Sequence, residues 1–484
     1  MWRDQHLMRN ISPDHVVPFL RERDKAIRST AASLVATVDD DFSALLDSPS
    51  LDQAHLPTLL GGLNLPSTAN EAHAAYLSSF ALIMGPLICH LRSAPQCSIA
   101  TSLAAELEAA HSSTLEWAVA LRRAHQLTSE LSFTEEELVF LNQFAPRAPA
   151  FALAGDRDSL TSDERPRFIQ PRVPSLQDIV ESPTGLKRLM TSLSQSIRAR
   201  ELLDLLSTLP VDSRQRITSS AGQGSVAYLS SDCPAAHDVP AEVWITQTRQ
   251  VLGLPSLPDA LYRKTPCPSC GIINNPDEQF TCALENHIPR CFRGPNRHRM
   301  HEAIATCIRR FILTDLGAGD DQVKLEMVNQ DDHKRPGDVA WLHHRGPGQH
   351  LLIDVSITTT SRAALLDYAH IPGYAARAQE KAKFSKYAPL LREGCYLHRH
   401  RFVPFVLEDG GRLGEHARAL LVELALQAAH TGHCLEDRTG RKRPSWLVSK
   451  WMEQISTTFH RTSATQIRTG LGLDDTYGPT TLGR

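Results

Sequence analysis

Between Cys267 and Tyr387 the chain carries residues suited to soft and to hard cations in close succession. Cys267 and Cys270 make a C-x2-C turn, and His287 and Cys291 follow as an H-x3-C pair. Zinc takes four thiolate or imidazole ligands in a tetrahedron, and a C-x2-C turn presents two of them at the right separation. The spacing predicts a structural Zn2+ site at Cys267, Cys270, His287 and Cys291, with Cys282 able to replace His287 or Cys291. Four protein ligands leave no position for water, so that ion is expected to brace the fold.

Downstream stand Glu302, the run Arg335-Pro336-Gly337-Asp338, the run Leu352-Ile353-Asp354-Val355-Ser356, and Glu380 to Tyr387 with Lys381, Lys383 and Lys386. Phosphodiester hydrolysis needs hard divalent cations held by carboxylates, plus a cation or base that positions the attacking water. Asp354 lies among apolar neighbours, where a carboxylate is costly unless it is paired or bound to metal. It is the first candidate to hold Mg2+. Asp338 is the second, although Pro-Gly-Asp also suits a plain turn. Glu302 can project from a helix towards a sheet or remain a solvated helix carboxylate. Lys383 and Lys386, three apart on one helical face that also carries Gln379, could supply the catalytic cation or a solvated surface.

These residues need a scaffold. A long helix is predicted from Arg297 to Leu316, short strands at 323–328 and 338–343, and a strand rich in β-branched residues from Leu351 to Thr358. A helix from Ala375 to Tyr387, a strand from Phe402 to Leu407 and a helix from Glu415 to His430 complete an α/β unit over 297–435. Ahead of it the chain reads as helical over 1–143, with Thr134 to Glu137 as a capping box. A proline-rich linker spans 144–174, and a second helical block 175–260 leads to the knuckle at 261–296. The tail, 436–484, is expected to be partly helical. The fold class expected is therefore α+β: a helical N-terminal region, a zinc knuckle, then an α/β domain.

Bulk properties bound the partners. The 484 residues carry a formal net charge of −3, with 42% hydrophobic and 22% charged residues, ordinary values for a globular chain. Any nucleic-acid surface must then be local. Arg290, Arg293, Arg297, Arg299, Arg309 and Arg310 gather around the knuckle and the next helix, with His298 and His301 among them. Arg335 stands just before Asp338. Each phosphate contact from such residues adds salt-sensitive affinity without sequence preference. Arg438, Arg441, Lys442 and Arg443 form a second basic run, either a solvated loop or an import signal. No signal peptide is expected from the polar opening Met1 to His6, and ten scattered cysteines with four inside 267–291 point to a reducing compartment. The uncharged stretch Ala74 to Leu91, interrupted by Gly85 and Pro86, reads as a buried helix or helix pair and not a membrane span.

The order C-x2-C, H-x3-C, Arg297-His298, R-P-x-D, hydrophobic-D-V and K-x-x-K-Y resembles the C-terminal half of non-LTR retrotransposon polyproteins, members of the reverse transcriptase family that carry a restriction-enzyme-like PD-(D/E)xK endonuclease. In that family a zinc knuckle directly precedes the nuclease domain. The resemblance implies a restriction-endonuclease-like fold with a mixed central sheet at 297–435, and Asp338 and Asp354 as magnesium ligands. It implies Lys383, or failing that Lys386, as the catalytic lysine, moved onto the following helix. It also likens Leu56 to Leu65 to the segment just after the polymerase thumb, and Val226 to Leu229 and Leu252 to Pro255 to the linker before the knuckle. Three departures stand out. Ser356 occupies the D-x-K lysine slot, Gly337 separates Pro336 from Asp338, and residues 358–378 lengthen the path from Asp354 to Lys383. A polymerase palm is not expected, because too little chain precedes Val38-Asp39-Asp40-Asp41 to build one.

The function this predicts is a nuclear, magnesium-dependent DNA endonuclease with DNA, and element RNA, as partners. A reverse transcriptase could be supplied in trans. The alternative is a catalytically inactive, zinc-containing nucleic-acid-binding relic of the same element.

Overall fold

The structure is a computed structural model. It describes residues 8–36, 41–93, 114–144, 189–229, 239–255, 296–326, 337–344, 346–360, 363–368, 370–390, 400–431 and 444–473, with isolated residues between, including 266, 267, 270, 271, 287, 288 and 291 of the knuckle. Among these, helix and one four-stranded mixed sheet share the chain.

The first half is helical: α1 (Pro13–Val35), α2 (Phe42–Leu46), α3 (Pro49–His55), α4 (Thr68–Arg92), α5 (Glu116–Ser129), α6 (Glu135–Phe144), α7 (Leu189–Thr208), α8 (Val211–Ser220) and α9 (Ala241–Leu252). Local signals set several boundaries. Asp41 accepts from the amides of Ser43 and Ala44 and starts α2. Thr134 and Glu137 exchange side-chain to backbone bonds of 2.8 and 3.1 Å, the reciprocal capping pattern expected ahead of α6. Within the region expected to be helical, α5 starts at Glu116, and most of residues 101–115 lie outside the described residues. The helix predicted over the Ala74 stretch is α4, and none of the described helices is long and apolar enough to cross a membrane.

The second half begins with α10 (Asn296–Thr314) and the strands β1 (Val323–Leu325), β2 (Val339–Trp341) and β3 (Leu351–Thr358). After them come α11 (Tyr374–Tyr387), β4 (Arg401–Glu408), α12 (Glu415–Thr431) and α13 (Pro444–Leu471). The sheet order is β1-β2-β3-β4, antiparallel as far as β3, with β3 and β4 parallel and joined through α11. The first predicted strand is described as far as Leu325, Glu326 follows at φ +47°, and 327–328 lie outside the described residues.

The two faces of the sheet differ in chemistry. Leu351, Ile353 and Val355 pack with Ile304, Ile308 and Phe311 of α10, Leu420 and Leu424 of α12, and Trp451 and Ile455 of α13. Leu352, the next residue round, packs instead with Tyr387 of α11, Ala340 and Phe402. β3 is buried on both faces and reads as an apolar run, as a central strand should. Its charged residue, Asp354, falls on the α11 side by the alternation of the strand.

The helical half is stitched to the sheet just past β4. Asp409 accepts from the hydroxyls of Ser219, Thr359 and Thr360. The guanidinium of buried Arg412 donates to the carbonyls of Ala221, at 3.0 Å, and Gln143. Ser456 on α13 donates to Ser225 O at 2.8 Å.

Candidate active site and metal centre

The knuckle residues meet. Ligand atoms of Cys267, Cys270, His287 and Cys291 all lie within 4.8 Å of one another and could hold a metal ion. Four ligands on a tetrahedron about a zinc–sulfur bond of ~2.3 Å would sit roughly 3.8 Å apart, so the set fits zinc without large rearrangement. Cys267 and Cys291 are buried with Ile288 against Leu473, just beyond α13, and Asn296 at the start of α10 donates to Ile288 O. The group is thus packed between the ends of the two helices that flank the sheet. Cys282 lies outside the described residues.

The second cluster forms where β2, β3, α10 and α11 converge. Asp338 immediately precedes β2, and its amide bonds Ile353 O at 2.8 Å. The register Val339↔Ile353, continued by one step, sets Asp338 opposite Asp354 on β3. Asp338 Oδ2 accepts from the amide of Val355 at 2.6 Å and from His301 Nε2 of α10 at 2.9 Å. Burial alone would lower the His301 imidazole. The hydrogen bond and charge of Asp338, with the charge of Asp354 behind it, hold it instead above the ordinary histidine value. His301 Nδ1 is buried without a hydrogen bond among the described residues.

Asp354 is held by α11. Lys383 Nζ lies 2.5 Å from Oδ2, and the Tyr387 hydroxyl donates to Oδ1 at 3.1 Å. The Lys383 contact is an ion pair whose angle is not that of a hydrogen bond, which leaves Oδ2 buried with no hydrogen-bond donor among the described residues. One turn earlier on the same face, Gln379 donates to Ser356 Oγ at 3.0 Å. The match is geometric. Residues 379, 383 and 387 advance about 6 Å per step along a helix, and alternate residues on a strand advance about 6.7 Å. A helical stripe can therefore face Ser356 and Asp354 in turn, and Lys383 reaches Asp354 across the long insertion.

Other expected residues fall elsewhere. Lys386 is exposed, with its ammonium 4.9 Å from the Tyr387 ring centre, and Lys381 is exposed as well. Glu302 points away from Asp338 and pairs with His298 at 3.0 Å. Glu302, His298 and Glu326 form another group whose ligand atoms lie within 4.8 Å, on open surface. One residue is 100° of helix, and that step separates His301, beside the core stripe Ile304 and Ile308, from Glu302. Sequence reasoning counted His301 among the basic residues and not in the site. The signal available was a histidine heading the apolar stripe 301, 304, 308, 311. Glu380, first in the lysine-rich run, is buried and accepts from the His416 amide at 3.0 Å, tying α11 to the start of α12. Arg299 is exposed on α10 and Arg297 lies in its first turn. Arg290, Arg293, Arg335 and the run Arg438 to Arg443 lie outside the described residues.

No family model matches the chain, and no curated protein matches it. What the residues can do therefore rests on their chemistry: two carboxylates on paired strands, a lysine against one and a histidine against the other.

Proposed function

We propose that the chain is a magnesium-dependent DNA endonuclease derived from a non-LTR retrotransposon, acting in the nucleus, with 297–435 as a restriction-endonuclease-like domain. The observation that carries this reading is the convergence of Asp338, Asp354 and Lys383, 16 and 29 residues apart in sequence (354 − 338 and 383 − 354), on one side of a mixed sheet. In this reading Mg2+, bound by Asp338 and Asp354, supplies Lewis-acid polarisation of a phosphodiester and lowers the pKa of water. Tyr387 and the Val355 amide fix the two carboxylates. Lys383 Nζ has three donors and faces Asp354 as an ion pair, so its N–H groups can orient an attacking water and meet negative charge growing on the phosphate. His301 holds Asp338 by one oxygen, and no hydrogen bond engages Oδ1 among the described residues. In the knuckle, zinc braces the start of α10. DNA is the substrate, element RNA a further partner, and a reverse transcriptase would act in trans.

One observation favours a second reading. Asp354 is closed by Lys383 at 2.5 Å and by Tyr387, an arrangement also suited to an inactive, zinc-containing nucleic-acid-binding relic in which the ion pair is structural. Supercoiled plasmid separates the two. The nuclease reading expects nicking in 5 mM magnesium that stops without divalent metal and is lost in Asp354→Ala. Binding without cleavage in magnesium or manganese would support the relic.

A further inference from the structure

A second feature of α10 lies outside this cluster. Between α10 and α13 runs an open groove of about 470 Å³ lined by Arg299, Thr306, Cys307 and Arg310 of α10 and by Thr458 of α13. The helices are antiparallel here. Lys450 pairs with Asp315, Gln454 accepts from Arg310 at 3.4 Å, and Gln466 donates to Asn296 O at 2.8 Å. Arg299 and Arg310 are eleven residues apart, or about 1100° of helix, so they share one face with some 16 Å between them.

What marks the groove is its charge. Several described arginines are spent on carboxylates: Arg28 on Asp52, Arg123 on Asp14, Arg198 on Glu71, Arg200 on Glu137, Arg309 on Asp320 and Arg401 on Glu423. Arg299 and Arg310 have no carboxylate partner among the described residues, and neither has Arg461, one turn beyond Thr458 on α13. In a chain of net charge −3, two unneutralised guanidiniums lining one groove, with Arg461 a turn beyond Thr458 on α13 and the Thr306 and Thr458 hydroxyls between the two helices, make a local cationic track. The groove's one acid, Glu302, is engaged by His298. Guanidinium and hydroxyl donors along a helix face suit phosphodiester oxygens. A span of about 16 Å covers the axial rise of roughly five phosphates of one strand.

We propose that the α10/α13 groove holds the phosphate backbone of duplex DNA. This rests on the nuclease reading and adds where the substrate lies. Arg299 is 200° of helix from His301, so the groove takes a part of the duplex away from the scissile phosphate. It contributes affinity and not chemistry.

The test uses the full chain, a labelled 30-base-pair duplex and no divalent metal beyond the bound zinc, so binding is read whether or not the protein cuts. Each lost phosphate contact lowers the salt slope by about 0.9, so removing two weakens the affinity loss between 50 and 200 mM salt by about twelvefold. Arg299→Ala with Arg310→Ala should show that change, while Arg309→Ala, whose arginine is spent on Asp320, should keep the wild-type slope. An unchanged slope in the double variant overturns the proposal, as does a slope change seen with single-stranded RNA and not with duplex DNA. Failure of the nuclease reading would show separately, as absent cleavage with the salt slopes intact.

Discussion

Replacing Lys383 by methionine keeps the stem of the side chain and removes the charge facing Asp354. The Asp354 side chain is 8% exposed and Lys383 18%, so the variant strands a carboxylate in a site with little access to water. Breaking a fully buried pair costs about 3–5 kcal/mol; with the lysine partly exposed, about 2–3 kcal/mol is expected. Asp354→Asn combined with Lys383→Met removes the stranded charge and leaves an amide oxygen for Tyr387. The double variant should recover all but about 1 kcal/mol of the loss. Trp341 and Trp451, both buried in the core that packs on the sheet, report the relevant unfolding transition by fluorescence in urea. A chain of this length unfolds in more than one step, so the comparison is of that transition alone. On the nuclease reading, added magnesium should stabilise Lys383→Met more than wild type, because without the lysine's charge an ion at Asp338 and Asp354 would bind the folded chain more tightly. A Lys383→Met variant within 0.5 kcal/mol of wild type, or a double variant no more stable than the single, would refute the reasoning.

Other predictions concern separate parts of the molecule. Purified protein should contain about one zinc by elemental analysis, and Cys267→Ser with Cys291→Ser should lose it and raise proteolytic cleavage near Leu471 and Leu473, which pack on the knuckle. His301→Ala removes the imidazole that holds Asp338, and single-turnover cleavage at limiting magnesium should slow by about 10–100-fold, with partial recovery at high magnesium. Burial pushes the Glu408 carboxyl up to about 7, against the charge of Arg412 and the Ala376 amide. The folded chain then keeps a proton that the unfolded chain gives up above about pH 4.5, and stability from this group falls as pH rises through 7. Glu408→Gln should therefore gain on the order of 3 kcal/mol over wild type between pH 4.5 and 8 in urea titrations. Burial pushes His460 the other way, down to about 4, so its contribution is lost as pH falls from 6.5 towards 4. His460→Gln should flatten acid unfolding in that window.

The sheet half was legible because its signals are local. Leu351 to Thr358 is a β-branched run, Asp354 is a charge set in it, and α10, α11 and α12 lie within a residue or two of their predicted ends. The choice among the lysines was less so. It depends on the stripe 379, 383, 387 falling over β3, a packing relation between segments joined through a long crossover. His301 depends on where α10 crosses the end of β2, which no local pattern encodes. The length of α13 was also hidden, since Ser456, Thr457, His460, Ser463, Gln466 and Arg468 are buried polar residues that read as solvent-facing in isolation. Their partners, such as Ser225 for His460 and Ser456, lie more than 200 residues away. The stitching of Asp409 to Ser219 is hidden for the same reason.

Single-turnover cleavage of a labelled duplex in magnesium by wild type, Asp354→Asn, Lys383→Ala and Lys386→Ala, each first shown to bind DNA, tests the nuclease assignment most directly. Cutting by wild type and Lys386→Ala, with losses of about a hundredfold or more in Asp354→Asn and Lys383→Ala, is the predicted result. Cleavage that survives Asp354→Asn, or a chain that binds DNA and never cuts it, would contradict it.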